Sequence, residues 1–187
     1  MSSEVADQVA CTAAVLSKTP DAAVVSNLGV ASYVLAGVED RPLNFYLWNS
    51  MGVTTAVGLG VALGTDRQVT VLDGDGSTLM GLGALATVAE ADPPNLVIVV
   101  WDNRAFATTG GQETLSGTAD LAAIAAGAGL EAYEAESDAA FERRYAEAVA
   151  HDGAAVVVCR VEAIDPDSRP PADYAHVKRR FREAMTD

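Results

Sequence analysis

A chain of 187 residues fits one domain of ordinary size, and with half its residues apolar it can bury a real core, which excludes a disordered chain. Nothing repeats at a fixed spacing, which excludes a solenoid. Its 26 acidic and 12 basic residues give a formal net charge of −14, which argues against nucleic acid or an anionic membrane surface as partner.

The basic residues are unevenly chosen, with Lys18 and Lys178 the only lysines. Two readings of the acidic surplus stay open: a surface kept hydrated in concentrated salt, as in a halophile, or a GC-rich genome favouring Ala, Gly, Asp and Arg. Cys11 and Cys159 stand apart in a chain without a cysteine framework, so both are expected as reduced thiols in a cytoplasmic protein. The first residues carry acids where a signal peptide would be basic.

In chain order, residues 3–18 read as a helix ending before Pro20. The run "AAVVS" (22–26) then reads as a buried parallel strand closed by "NLG". "NFYLW" is a second strand. No charge appears between Arg41 and Asp66, but the asparagines, threonines and glycines of this stretch point to a core helix rather than a membrane span. Within it, "MGVTTAVGLGVALG" reads as a helix whose glycines pack closely on something flat.

"QVTVLDG" is a strand, "STLMGLGALATVAEA" a single helix and "NLVIVVWDN" a strand, together a βαβ unit. The Gly- and Thr-rich stretch 104–118 is a loop long enough to expect ligand contact. Helix "ADLAAIAAGAG", strand "LEAYEA", helix "DAAFERRYAEAVAH" and strand "AAVVVCRV" follow, and a helical tail is expected over 171–186. The alternation predicts one α/β domain over 1–187, doubly wound, with a largely parallel sheet and ligands outside the carboxyl ends of its strands.

"LDGDGS" (72–77) sits at such an end. Asp and Gly accept tight turns, so the motif alone is ordinary turn chemistry. Asn103, however, ends the next strand, and neighbouring parallel strands lie about 4.8 Å apart, so Asp75 and Asn103 can converge. A carboxylate, an amide oxygen and a loop carbonyl form a hard oxygen set suited to Mg²⁺, which takes its remaining ligands from phosphate and water. Gly74 and Gly76 let the backbone approach a phosphate, and Ser77 is expected to open the following helix with a free hydroxyl and N–H groups. A dinucleotide reading of "GLGALA" (81–86) fails because those glycines fall inside a helix.

This arrangement resembles the diphosphate and Mg²⁺ motif of thiamine diphosphate enzymes. The resemblance implies Asp75, Asn103 and the Ala105 carbonyl as metal ligands, with Gly74, Gly76, Ser77, Phe106 and Ala107 around the diphosphate. "WNSMG" (48–52) is similar to the family's "GSMG" segment, which implies Met51 as the apolar residue that bends the cofactor. The Asn49 carbonyl would accept from the aminopyrimidine, although Asn49 replaces the usual glycine. "SNLG" (26–29) falls where the family places a loop near the pyrimidine.

Longer stretches, among them "SNLGVAS", "NFYLWNSMG" and "ATTGGQ", resemble the sulfopyruvate and phosphonopyruvate decarboxylase family. That implies decarboxylation of a small 2-oxo acid, with sulfopyruvate going to sulfoacetaldehyde in a coenzyme M-type pathway as the leading case. Phosphonopyruvate or another short 2-oxo acid is the alternative, and a non-catalytic assembly or regulatory subunit is the reading from another class. The family's activating glutamate lies in a pyrimidine-binding domain that this sequence does not contain, so the resemblance implies an α-type partner subunit. His151, His176, Arg104 and the tail cluster "KRRFRE" are read as surface residues.

Overall fold

The computed structural model describes residues 5–186. Six strands form one sheet in the order β2-β1-β3-β4-β6-β5, every neighbour parallel. They are β1 (Ala23–Ser26), β2 (Asn44–Tyr46), β3 (Val69–Gly74), β4 (Leu96–Asp102), β5 (Glu131–Ala135) and β6 (Ala155–Arg160). The inner strands are buried along both faces, as their unbroken apolar runs require.

Helices cover both faces. α1 (Gln8–Lys18) and α2 (Val30–Val38) lie on one side. The other side carries α3 (Thr54–Ala62), then α4 (Asp75–Met80) and α5 (Gly83–Ala91), then α6 (Leu121–Gly127). α7 (Asp138–Val149) returns to the first side, and α8 (Tyr174–Thr186) follows the last strand. One core cluster joins Val15, Leu35, Leu72, Val99 and Phe141, and the other joins Leu59, Val71, Ile98 and Leu121. α8 closes the β2 edge, placing Val177 in the first cluster and Phe181 in the second.

The expected elements stand with three corrections. α1 begins at Gln8, where the Asp7 carboxylate accepts from Val9 and Ala10 N–H groups, and residues 3 and 4 lie outside the described ones. The tail helix begins at Tyr174, where the Asp173 carboxylate caps it by accepting from the His176 N–H at 2.9 Å. The helix after β3 is two helices with a break at Gly81 and Leu82. α2 is an addition to the expected elements: its apolar residues Ala31, Val34, Leu35 and Val38 have helical spacing, and Ala31, Leu35 and Val38 pack in the first cluster.

The glycine reading of α3 holds at Gly58, where a Cβ would come within 2.0 Å of Val71 on β3. Gly60 has open space instead. Among the described residues no helix is long and apolar enough to cross a membrane. Cys11 and Cys159 are buried and free. They meet between α1 and β6, and this contact, together with burial, pushes the Cys11 thiol far above the usual thiol range.

Ion pairs such as Arg180–Asp40 at 2.7 Å and Arg144–Glu147 at 2.7 Å leave the acidic surplus untouched, because the 26 acidic residues outnumber all 12 basic ones. If that surplus is an adaptation to salt, repulsion loosens the fold in dilute buffer. The expected result is a higher thermal unfolding midpoint in molar potassium chloride than in dilute buffer. Equal midpoints would leave genomic bias as the account of the composition.

Candidate functional site

Chain order reverses between β1 and β3, so a crevice opens above their carboxyl ends, where doubly wound sheets bind ligands. The register pairs Gly74 of β3 with Trp101 of β4, so Asp75 and Asn103 leave neighbouring strands just beyond that pair. A cleft of about 70 Å³ lies there. β3 and α4 line it with Gly74, Asp75, Gly76 and Ser77, and the loop after β4 with Asn103, Ala105, Phe106 and Ala107. Met51 closes one side, and Asn27 and Leu28 of the "SNLG" segment another. Asn49 lies outside this lining, two residues away in the turn that presents Met51.

That turn is held against α4. The Gly52 N–H donates to Ser77 Oγ at 3.0 Å. Ser77 therefore lies within the first turn of α4 rather than opening it, and its hydroxyl is engaged. Gly52 adopts φ 80°, a conformation natural to glycine, and Asn49 has φ 54°. Asparagine is among the few residues that accept this left-handed region, so the replacement of glycine at 49 is compatible with the turn. A Cβ at Gly81 would come within 2.2 Å of the Gly52 carbonyl oxygen.

Gly81→Ala is therefore expected to force the Met51 turn and α4 apart, at a cost of about 1–3 kcal/mol. Denaturant unfolding measures this. A variant as stable as the parent would mean that the two segments separate freely.

Asp75 is buried, and its Oδ2 accepts from Thr114 Oγ1 and, at 2.9 Å, from Ser116 Oγ. Ser116 Oγ also lies 2.6 Å from Asp102 Oδ1. Burial pushes the Asp75 carboxyl up, the two hydroxyls and the Gly76 N–H pull it down, and the Asp102 charge pushes it up again. Asp73 is buried beneath, bonded to the Gly74 N–H at 2.9 Å and Thr55 Oγ1 at 3.2 Å, and burial raises its carboxyl too. Asp73 thus serves the strand end and not the cleft.

The loop after β4 folds back on itself. Ala105 and Glu113 form an antiparallel bridge, and Gly110 and Gly111 make the reversal with φ of 131° and 73°. Its first leg supplies the cleft wall, and its second returns Thr114 and Ser116 to Asp75. The Phe106 ring closes over α4 so tightly that a Cβ at Gly76 would lie 2.5 Å from it. Arg104 turns away from the cleft, its Nε 3.8 Å from Asp102 Oδ2. His151 is exposed and His176 half-buried on α8.

Thr114, Ser116 and Asp102 carry no sequence signal that singles them out. The paired glycines at 110 and 111 are the one signal that marks the reversal, but they do not say which of the loop's hydroxyls meets Asp75.

The donor set suits a cation that shares its shell with phosphate. Asn103 Oδ1 accepts from the Ala105 N–H at 2.9 Å and keeps a second lone pair, and both hydroxyls on Asp75 fall on Oδ2, leaving Oδ1 to a cation. Among the described residues no three His, Cys, Asp or Glu side chains gather to hold a metal by themselves.

Residues 24–159 match the family model described as "Thiamine pyrophosphate enzyme, C-terminal TPP binding domain". The chain belongs to this family. It is 47% identical over 169 residues to a phosphonopyruvate decarboxylase of Streptomyces viridochromogenes; the match covers 89% of this chain but 43% of that protein, so the chain spans less than half of that relative's length. With the sulfopyruvate decarboxylase subunit beta of Methanocaldococcus jannaschii it shares 38% identity over 167 residues, 87% of each chain. The solved benzoylformate decarboxylase of Polynucleobacter necessarius superposes with a TM-score of 0.73 at 18% identity, over 88% of this chain and 34% of that one, which shows the common fold.

Proposed function

We propose that this chain is the diphosphate- and Mg²⁺-binding subunit of a heteromeric thiamine diphosphate-dependent 2-oxo acid decarboxylase. Sulfopyruvate is the proposed substrate, with sulfoacetaldehyde and carbon dioxide as products. The observation that carries this reading is the convergence of Asp75, Asn103 and the Ala105 backbone on one cleft at the switch point of the sheet.

In this reading Asp75, Asn103 and the Ala105 carbonyl hold the cation, while Gly74, Gly76, Ser77, Phe106 and Ala107 surround the diphosphate. Met51 shapes the bound cofactor, and the Asn49 carbonyl accepts from its aminopyrimidine. Bound thiamine diphosphate supplies the carbon nucleophile for the substrate ketone and the electron sink that lets carbon dioxide leave. The protein's own share is to place and orient it: the Thr114 and Ser116 hydroxyls fix the Asp75 carboxylate, and the Phe106 ring excludes water from the start of α4. The proton-handling glutamate belongs to a pyrimidine-binding partner.

Two observations support a partner. A relative that aligns along 87% of its own length is named subunit beta. The cleft's 70 Å³ is also far below the roughly 300–1,000 Å³ of a complete small-molecule site, as expected of one wall of a shared one. Identity of 47% to a phosphonopyruvate decarboxylase, matched by 46% to a sulfopyruvate decarboxylase subunit beta, keeps phosphonopyruvate as a second reading. Carbon dioxide release from sulfopyruvate, phosphonopyruvate and pyruvate by the assembled enzyme decides between them. A preference for phosphonopyruvate would overturn the substrate while keeping the chemistry. A non-catalytic assembly role has no use for a cation clamp and is disfavoured.

A further inference from the structure

Two buried polar atoms at the cleft have no partner among the described residues. Gln8 is 3% exposed and Trp101 2%, and neither Gln8 Oε1 nor Trp101 Nε1 makes a hydrogen bond. Both side chains line the same cleft as Asp75 and Asn103. Folded proteins rarely leave such atoms unsatisfied, and those that remain call for a ligand or another specific reason.

The fold explains how they come to be there. Ala6 bridges in parallel to Val161, just past β6, and its N–H donates to the Arg160 carbonyl at 3.1 Å. This brings the start of α1 to the carboxyl edge of the sheet. The helix end itself is already capped: Asp7 accepts from the Val9 N–H at 2.7 Å and puts a negative charge there. The Gln8 side chain, and not the helix terminus, is the group left to face the cleft. Trp101 lies on β4 two residues before Asn103, its ring fixed against Phe141 with centroids 5.2 Å apart.

We propose that Gln8 and Trp101 form an inner wall of the cleft that hydrogen-bonds the anionic group bound there, an assignment that rests on the function proposed above. The indole N–H is a donor to a phosphate oxygen. The Gln8 amide serves in either orientation: its nitrogen end donates to the anion, and its oxygen end accepts from a water that itself donates to the anion. Both residues are neutral, so they add selectivity for an acceptor-rich ligand without adding charge. Gln8 stands outside the family-matched residues 24–159, while Trp101 lies within them.

The test uses the full chain with Mg²⁺ and inorganic diphosphate as the probe. Trp48→Phe leaves Trp101 as the sole tryptophan of the two, and its emission is expected to change saturably as diphosphate binds. Gln8→Leu keeps the side-chain volume and removes the unpaired acceptor, so it should weaken diphosphate binding about five- to tenfold while raising the unfolding midpoint of the ligand-free protein. Opposite signs on affinity and stability mark a ligand-facing group, since a structural role would lower both. Trp101→Phe, followed by calorimetry, should weaken binding to a similar degree. Unchanged affinity in both variants, a silent Trp101, or loss of stability together with affinity in Gln8→Leu overturns the assignment. If the assembled enzyme decarboxylates but these variants bind cofactor normally, the inner wall falls and the function stands; a diphosphate response without any decarboxylation does the reverse.

Discussion

Asp75→Ala is expected to abolish Mg²⁺-dependent binding of thiamine diphosphate. Among the described residues no lysine or arginine lines the cleft, so a bound diphosphate has only a bridging cation to offset its charge. Asp75 is also the sole carboxylate among the described residues that line it. Its removal should cost more than the roughly 10–100-fold seen when a metal's outer hydrogen-bonding partner is lost. Asp75→Asn separates charge from shape, because the amide oxygen can still accept from Thr114 and Ser116. If the charge is what matters, both variants lose binding while Asn keeps the loop in place. Calorimetric titration with the partner present, with and without chelator, measures this. Binding that survives Asp75→Ala, or excess chelator, would sink the metal assignment, whereas binding that survives Asp75→Asn alone would show that an amide oxygen suffices at this position.

The βαβ unit around this site is legible in the sequence because its signals are local. Unbroken Val and Leu runs mark strands buried on both faces, and Asp and Gly at a strand end mark the point where chain meets ligand. The parallel order then dictates that Asp75 and Asn103 emerge side by side. What the sequence hides depends on contacts between segments distant along the chain. α4 and α5 read as one continuous helix, whereas in the fold the chain breaks at Gly81, where the Gly52 carbonyl leaves no room for a side chain. Ser77 reads as a free helix-opening hydroxyl, whereas in the fold the Gly52 N–H occupies it. Gln8 gives no sequence signal at all, because its place at the cleft comes from a bridge to a strand end more than 150 positions away.

Neither this chain nor its partner should decarboxylate alone, and mixing the two should create activity. In the function proposed above, Asp75, Asn103, Ala105 and the residues at the start of α4 serve the cation and the diphosphate end of the cofactor. Among the described residues no glutamate lines it to protonate the pyrimidine ring. Met51 lines the cleft and is half-buried, and Met80, beside Gly52 of the Met51 turn, is exposed and leaves apolar surface there. A pyrimidine-binding subunit seated there would supply the missing acid and enclose the cofactor. The measurement is carbon dioxide release by each protein and by the mixture, using the product of a neighbouring gene that carries a pyrimidine-binding domain. Turnover by this chain alone would defeat the split site. A stable complex that binds thiamine diphosphate but turns over none of the tested 2-oxo acids would keep the cofactor site and move the substrate elsewhere. A complex that binds no cofactor would instead favour an assembly role, since both halves of the site would then be present without forming one.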